Sequence, residues 1–306
     1  DIEGIAKPVS HWVKISKSSQ NIAKDGAEAI KQANIKPGQI ATLILPGDTA
    51  WNDGNKIQLV ELNAKQKDVS TKLIDEAILA IENANNPLIL VGGAALEENN
   101  LIKLAKVADK IGCEIKTDWF NARLDKGAGR VNSVRIPYVV DKAVDILKSF
   151  DTILIIGARR PVAFFAYPNK PGVLTQDSTK FFELANVSDN ITNVIEELSD
   201  RVGISTEVPS TISKLNIPDI PKGTINPTTL GMVLGALIPE NAIVVDESVT
   251  TGREFFYQTA GSHPHTWLNN CGGSIGFGMP VAIGAAISCP DRKVISLEGD
   301  GSAMYT

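Results

Sequence analysis

An aspartate between two glycines, in the string Gly299-Asp300-Gly301-Ser302 (the GDGS turn), follows an apolar run at residues 294–297. A carboxylate at the carboxyl end of a parallel strand points into the crevice where such sheets bind ligands. The glycines let the backbone approach a phosphate, a following helix would offer N–H groups to an anion, and aspartate is a hard oxygen ligand for Mg²⁺. The turn therefore suggests a metal-bridged diphosphate site, although an ordinary Asp-Gly turn has the same residues.

Two upstream segments change how the GDGS turn is interpreted. A glycine-rich loop at residues 272–278 leads into a run of small residues at 282–286, and residues 244–252 place Asp246 and Glu247 at the end of an apolar run. In this order and spacing, the three segments resemble the diphosphate-binding domain of thiamine-diphosphate-dependent enzymes. The resemblance is to the acetolactate synthase, benzoylformate decarboxylase and pyruvate oxidase group.

The resemblance implies a role for each segment. Asp300 is the implied Mg²⁺ ligand, Ile275 props the cofactor in its bent shape, and Gly273 offers its backbone to the pyrimidine. Thr250 lies in a loop that contacts the diphosphate or the substrate. The implied cofactor-binding residues are Thr250, Gly273, Ser274, Ile275, Gly299, Asp300, Gly301 and Ser302. No catalytic residue is assigned, because the family's activating glutamate and second metal ligand are expected outside this sequence.

Helix and strand patterns alternate around these segments. Strand-like apolar runs and amphipathic helices succeed one another through residues 68–202, and the pattern restarts at Pro227. Buried-type strands that alternate with helices form parallel sheets covered on both faces. We therefore predict an α/β fold of successive doubly wound parallel-sheet domains of the thiamine-diphosphate-enzyme type, incomplete at both ends.

The predicted domain organisation follows the composition of the chain. Residues 1–54 are the expected end of an N-terminal pyrimidine-binding domain, and residues 68–205 a Rossmann-like central domain. A linker at 55–67 joins them. A proline-containing linker at 206–226 leads to residues 227–306, the first part of a C-terminal diphosphate-binding domain. The chain lacks an initial Met and stops soon after the GDGS turn, so we expect a piece of a longer polypeptide.

The central domain carries an alternative cofactor prediction. In some members of the group this domain binds FAD, but Gly92-Gly93 and Gly157-Ala158 lack a GxGxxG fingerprint. We favour a structural domain, with Arg159 in a surface or interface ion pair. FAD binding remains an open alternative.

Three aromatic or imidazole side chains bear on the chemistry. Phe164 stands where benzoylformate decarboxylase carries a proton-relaying histidine, and a phenyl ring cannot move a proton. That position argues against true benzoylformate decarboxylase chemistry. His263 and His265 precede the strand-like residues 266–269 on a polar loop, and we expect both to be solvated at the surface.

Composition excludes several classes of protein. The net charge of -5, without a basic run, argues against a nucleic-acid partner. Cys113, Cys271 and Cys289 are odd in number and form no CxxC pair, which argues against a disulfide framework or structural zinc and for the cytoplasm. The longest apolar stretches are too short to span a bilayer, so no membrane partner is expected.

The resemblance implies decarboxylation and/or carboligation of small-molecule 2-oxo acids, acetolactate-synthase-like, with thiamine diphosphate and Mg²⁺. The family builds each site between two subunits, which implies a homodimer or homotetramer. Two alternatives remain. One is an FAD-containing pyruvate-oxidase-type enzyme, and the other is a non-catalytic nucleotide-binding or regulatory α/β protein.

Overall fold

A computed structural model describes residues 1–60 and 66–306. Residues 61–65, part of the predicted linker at 55–67, lie outside the described residues. The chain forms two compact units. The first unit is Asp1–Asp68 with Val187–Asn190, and the second is Val69–Asn186 with Ile191–Thr306.

The first unit contains a pair of parallel strands. Its elements are α1 (Ile2–Ala6), β1 (Trp12–Ile15), α2 (Ile22–Ala33), β2 (Ala41–Ile44) and α3 (Gly47–Trp51). Lys14 on β1 forms ion pairs with Asp25 and Glu28 on α2, at 2.9 and 2.5 Å. Apolar residues at helical spacing up to Asn34 and the apolar run at residues 40–45 predict a helix and a strand, which α2 and β2 confirm, whereas β1 was not predicted.

The second unit carries the remaining elements and both larger sheets. In chain order they are α4 (Thr71–Glu82), β3 (Pro87–Val91), α5 (Glu98–Ile111), β4 (Glu114–Thr117), β5 (Arg123–Lys126), β6 (Val134–Arg135), α6 (Val140–Leu147), β7 (Thr152–Ile156), β8 (Lys180–Ala185), α7 (Ile191–Val202), α8 (Pro227–Leu237), β9 (Ala242–Glu247), α9 (Phe255–Gln258), β10 (His265–Asn269), α10 (Gly278–Ser288) and β11 (Val294–Glu298).

Local sequence signals set the ends of several helices. The Ser70 side chain caps α4, and Asn226 and Thr229 form a reciprocal capping box at the start of α8. Pro227 occupies the first turn of α8, where its missing N–H costs nothing. Gly112 ends α5 with a φ of 81°, a left-handed conformation that glycine adopts without steric penalty.

The central sheet has the strand order β6-β4-β3-β7-β8, and all of its strand pairs are parallel. Every residue of β3 and β7 is buried. Ile89 and Leu154 belong to the apolar cluster with α4, α5 and α7, whereas Leu88 and Ile153 pack in a second cluster with α6. The strands are apolar along their whole length because helices cover both of their faces.

The C-terminal sheet has the order β11-β9-β10-β5. Strands β9, β10 and β11 are parallel, and β5 pairs antiparallel with β10, with Lys126 opposite His265. Strand β5 comes from the predicted central domain and was not predicted. Three of its four residues are charged, so the sequence showed no apolar run, although Leu124 and Lys126 are both buried.

The two larger sheets confirm the predicted α/β class with mostly parallel strands. The domain boundaries themselves remain predictions. Within residues 1–60 and 66–306, no helix is both long enough and apolar enough to cross a membrane.

Candidate cofactor-binding site

The GDGS turn lies at the carboxyl end of β11 and is fixed to the neighbouring strand. The Gly299 amide donates to the main-chain oxygen of Glu247 at the end of β9 (3.1 Å), and the Ala303 amide donates back to Gly299 (3.0 Å). Ser302 is buried, whereas Asp300 is exposed. Asp300 is therefore accessible rather than part of the core, and its role as a metal ligand remains a prediction.

The glycine-rich loop needs glycine for backbone reasons. Gly272, Gly273 and Gly276 have φ values of 74°, 72° and 96°, which side-chain-bearing residues rarely adopt. Asn270 closes the loop from one side, since its Oδ1 accepts from the Ser274 amide (2.9 Å) and its Nδ2 donates to the Ser274 oxygen (2.8 Å). The loop thus has a defined shape with an exposed backbone.

The Glu247 carboxylate holds the other end of this loop. Its Oε1 accepts from the Gly276 amide and its Oε2 from the Gly278 amide, both at 2.6 Å. Glu247 is only 3% exposed, while Ile275, directly before Gly276, is 48% exposed. The sequence pattern placed Glu247 at the end of an apolar run but predicted no role for it. Its position at the carboxyl end of a buried strand was the available signal.

A second carboxyl group lies beside Glu247. Glu298, the last residue of β11, is directly opposite Glu247 in the strand register, and its two carboxyl oxygens are buried. Burial, and then the charge of Glu247, raise the pKa of Glu298 above its ordinary value. Two acidic side chains with buried carboxyl groups, Glu247 and Glu298, therefore lie side by side at the strand ends next to the glycine-rich loop and the GDGS turn.

The loop after β9 positions Thr250. Asp246 accepts from the Ser248 amide (3.1 Å) and from the Ser248 hydroxyl, which turns the chain sharply. Val249 then has a φ of 47°, a strained conformation for a β-branched residue and one found mostly at functional sites. Thr250 follows, exposed at the same strand edge.

Hydrogen bonds among the described residues connect the glycine-rich loop with the GDGS turn, but they do not connect either segment directly with Thr250. The hydroxyl of Thr306, just after the GDGS turn, donates to the oxygen of Gly276 in the glycine-rich loop (3.1 Å). Glu247 connects both segments through its side chain and its main chain. Thr250, in contrast, is joined to these segments only through β9 in the hydrogen bonds of the described residues.

An aromatic cluster borders the glycine-rich loop. Phe164 stacks obliquely on Phe120 (ring centroids 4.8 Å apart) and edge-on against Phe165 (4.6 Å). A Cβ atom on Gly273 would lie 3.5 Å from the Phe164 ring. The cluster follows the carboxyl ends of β4, β6 and β7, the edge at which parallel sheets bind ligands. Its members are Trp119, Phe120, Tyr138, Phe164, Phe165 and Tyr167.

The exposed residues fit a magnesium-bound diphosphate. A Cβ atom on Gly272 or Gly301 would meet nothing within 4 Å, so the backbone of both segments borders open space. Within the described part of the chain, no group of three or more His, Cys, Asp or Glu could hold a metal. Mg²⁺ needs no such cage, because one or two carboxylates and the phosphate oxygens of its ligand commonly bind it. Asp300 meets that requirement.

His265 corrects one sequence expectation. It lies at the start of β10, is 4% exposed, and its Nδ1 is 2.7 Å from the His263 oxygen. Burial lowers the pKa of His265 to about 4, so its ring is neutral. The prediction of a solvated surface histidine was wrong because the unpredicted strand β5 pairs alongside it.

The cysteines and the central-domain glycines have structural explanations. Cys113, Cys271 and Cys289 are all free thiols, and burial raises the pKa of Cys113 to about 12.

At the ends of β3 and β7 the backbones of Gly92 and Gly157 touch, since a Cβ on Gly92 would lie 2.6 Å from the Gly157 oxygen. Close packing thus accounts for these glycines without a nucleotide.

Arg159 and its surroundings contribute charge beside the aromatic cluster. Arg159 is exposed, as expected for a surface residue. Burial raises the pKa of Asp118, while the Trp119 amide and the positive charge of Arg159 oppose that rise. The predicted ion pair of Arg159 remains a prediction.

Two basic side chains are buried, and sequence reasoning missed both. Arg135, on β6 of the central sheet, contacts Asn269 on β10, whereas Lys126 lies within the C-terminal sheet on β5. The Arg135 guanidinium lies 4.3 Å from the Trp119 ring centre and 3.6 Å from that of Phe256, and donates to Asn269 (3.3 Å). Lys126 donates to the main-chain oxygen of Phe256, and burial lowers its pKa well below the ordinary value. Both side chains serve packing.

Comparison with known proteins extends this description. Residues 252–306 match the family "Thiamine pyrophosphate enzyme, C-terminal TPP binding domain". The chain is 36% identical over its whole length to the Mycobacterium tuberculosis protein named "Putative acetolactate synthase large subunit IlvX", of which it covers 58%. It is 25% identical to benzoylformate decarboxylase of Pseudomonas aeruginosa, over 100% of this chain and 61% of that protein.

A solved structure shows the same fold. The thiamine diphosphate-dependent 4-hydroxybenzoylformate decarboxylase of Rhodococcus jostii RHA1 superimposes with a TM-score of 0.74 at 22% identity, over 100% of this chain and 61% of that one. The exposed GDGS turn and the glycine-rich loop of this α/β fold lie at the carboxyl ends of parallel strands. Over its whole length the chain is similar to proteins named acetolactate synthase and benzoylformate decarboxylase, and its residues 252–306 match the C-terminal domain of thiamine pyrophosphate enzymes. It spans about three fifths of the length of these relatives.

Proposed function

We propose that the protein carrying this chain catalyses thiamine-diphosphate-dependent decarboxylation and/or carboligation of 2-oxo acids, in the manner of acetolactate synthase. One observation carries the proposal. The exposed Asp300 carboxylate and the exposed glycine-rich loop are held side by side by Glu247. The relatives' names point to the same chemistry.

Each segment has a task in this proposal. Asp300 holds Mg²⁺ and, through it, the diphosphate, while Gly299 and Gly301 leave room for the phosphate oxygens and Ser302 anchors the turn in the protein. When bound, thiamine diphosphate supplies the electron sink for loss of carbon dioxide from a 2-oxo acid. Mg²⁺ is part of this proposal.

The second and third segments orient the organic part of the cofactor. Gly273 and Ser274 present main-chain groups on the exposed loop, and Ile275 presents an apolar side chain that supports the cofactor in its bent shape. Thr250 lies on the loop after β9, at the diphosphate or substrate side. Because these residues are fixed before a ligand arrives, little ordering entropy is lost on binding.

The aromatic cluster forms the apolar side of the proposed substrate site. Phe164 is 39% exposed next to Gly273, so its ring excludes water from the neighbourhood of the loop. Tyr138 and Tyr167 share a hydrogen bond between their hydroxyls (2.8 Å), and burial, followed by that bond, raises the pKa of Tyr138 to about 12. Tyr138 therefore stays neutral near pH 7, and the aromatic cluster favours an uncharged acyl chain.

The remaining predictions are also proposals. We infer a homodimer or homotetramer, supported by the exposed apolar side chains Ile283 and Ile287 on α10. The division into pyrimidine-binding, central and diphosphate-binding domains stays as predicted. Cytoplasmic location rests on the cysteine pattern. An FAD-containing oxidase and a non-catalytic regulatory protein are the alternatives that the following assay separates.

The test is turnover by the full-length protein with Mg²⁺ and thiamine diphosphate. Pyruvate and benzoylformate are supplied in turn, and carbon dioxide and acetolactate are measured. Release of carbon dioxide that requires both Mg²⁺ and the cofactor is expected. No release from any 2-oxo acid would support the regulatory alternative, and a flavin absorbance spectrum with oxygen consumption would support the oxidase.

A further inference from the structure

Glu247 makes an unusual set of contacts for a residue outside the predicted cofactor contacts. Its two carboxylate oxygens each accept one buried main-chain N–H, from Gly276 and Gly278, at 2.6 Å. Its own main-chain oxygen accepts from the Gly299 amide at 3.1 Å. One residue therefore fixes both the glycine-rich loop and the GDGS turn.

The charge of Glu247 suits this task. Hydrogen bonds from N–H groups to an ionised carboxylate are shorter and about twice as strong as neutral ones. Both acceptor sites are used, and the amide of Gly278 lies at the start of α10, where a negative charge is favoured by the helix dipole. Removing the carboxylate would leave two buried donors without partners.

The neighbouring glycine confirms how closely the carboxylate fits. A Cβ atom on Gly278 would be closest to Glu298 Oε2 and would lie 2.9 Å from Glu247 Oε2. The space between the strand ends and the helix start is thus filled by the carboxyl groups of Glu247 and Glu298. Ile275 directly precedes Gly276 in the glycine-rich loop and is 48% exposed.

We propose that Glu247 is a positioning residue for cofactor binding, which fixes the glycine-rich loop relative to the GDGS turn so that Ile275 and Asp300 engage one thiamine diphosphate molecule together. The inference rests on the proposed function and goes beyond it. Glu247 touches neither cofactor nor substrate, and it acts through the main chain of Gly276, Gly278 and Gly299.

Two variants test the proposal in the full-length protein. In Glu247→Gln, the amide oxygen accepts one N–H but the amide nitrogen faces the second donor, so one contact is lost with little change of shape. Gly278→Ala keeps Glu247 but adds a methyl group that crowds the carboxyl groups of Glu298 and Glu247, which supplies a second variant if the first does not fold. Glu240→Gln makes the same chemical change on the exposed turn before β9 and serves as the control.

The main measurements are the Kd for thiamine diphosphate with Mg²⁺, by titration calorimetry, and the near-ultraviolet circular dichroism of the bound aminopyrimidine at saturation. We expect Glu247→Gln and Gly278→Ala to raise the Kd by about 10-fold and to reduce the dichroism, while the KM of the 2-oxo acid at saturating cofactor changes less than about two-fold. Glu240→Gln should match the unaltered protein.

The outcomes separate the inference from the proposed function. Normal cofactor Kd and dichroism in a folded Glu247→Gln or Gly278→Ala protein would overturn the positioning role and leave the function intact. Lack of binding by the unaltered protein would overturn the proposed function, and this inference with it. A weaker Kd with lost dichroism in the variants alone supports both.

Discussion

At the residue scale, the site depends on a few side chains whose surroundings set their chemistry. Asp300 is exposed and available to a cation, Glu247 is buried and bound to two amides, and Phe164 carries no proton. Asp300 was predictable because its flanking glycines are visible in the sequence. The role of Glu247 was not predictable, because it depends on a hydrogen bond between its carboxylate and a main-chain amide 29 residues away.

Phe164 gives a prediction of substrate preference at this scale. Phe164→Leu removes an aromatic face that packs at 4.8 Å from Phe120, and a favourable aromatic contact contributes about 1 kcal/mol. The KM for benzoylformate should rise by about five- to tenfold, while that for pyruvate changes less than about two-fold. Steady-state kinetics on both acids make the comparison. Equal effects on the two substrates would show that the ring lies outside the substrate site.

At the element scale, apolar runs in the sequence predicted most strands of the central sheet, whereas β1, β5 and the two-residue β6 were not predicted. Strands β3 and β7 are buried on both faces and therefore read as continuous apolar runs. Strand β5 is predominantly charged, and its partner β10 lies about 140 residues away in the sequence. No local sequence pattern therefore predicted that these two strands pair. Gly112 at the end of α5 and Pro227 in the first turn of α8 were local signals and were correctly interpreted, whereas the capping box of Asn226 and Thr229 was not predicted.

The interior of β7 gives a prediction of stability. Leu154 is fully buried between the helices on one face of the central sheet, so Leu154→Ala should lower the free energy of unfolding by about 2–5 kcal/mol. Urea denaturation followed by circular dichroism measures it. Leu215→Ala, at a position 58% exposed, is the matched control and should cost less than about 1 kcal/mol. Equal losses in both variants would contradict the assigned core.

The pairing of β5 with β10 predicts a pH dependence of stability. The folded pKa of His265 is about 4 and its ordinary value is 6.5, so the unfolded chain binds the proton first. The contribution of the neutral ring is complete above pH 6.5 and is lost as the pH falls towards 4, by up to about 3 kcal/mol.

Unfolding free energies at pH 7.5 and 4.5 measure this effect. His265→Gln should flatten the acid-side decline, whereas His11→Gln, at an exposed position, should leave it unchanged. If the unaltered protein and His265→Gln lose stability equally over that range, the histidine is not buried neutral as described.

At the scale of the whole molecule, the comparisons point to the same group of proteins that the sequence motifs resemble. Three short segments carry that resemblance, and one of them needs specific backbone shapes, such as the left-handed Gly272 and Gly273. The contact of Arg135 on the central sheet with Asn269, and the burial of Lys126 in the C-terminal sheet, could not be inferred, because buried basic residues look like surface residues in a sequence.

The central claim is that Asp300 holds a magnesium-bound diphosphate, and equilibrium binding tests it most directly. The Kd for thiamine diphosphate is measured on full-length protein with and without Mg²⁺, for the unaltered protein, Asp300→Asn and the exposed control Asp291→Asn. Asp300→Asn should weaken binding about 100-fold, or on the order of 3 kcal/mol, and remove its dependence on Mg²⁺. Tight, Mg²⁺-dependent binding by Asp300→Asn would contradict the account.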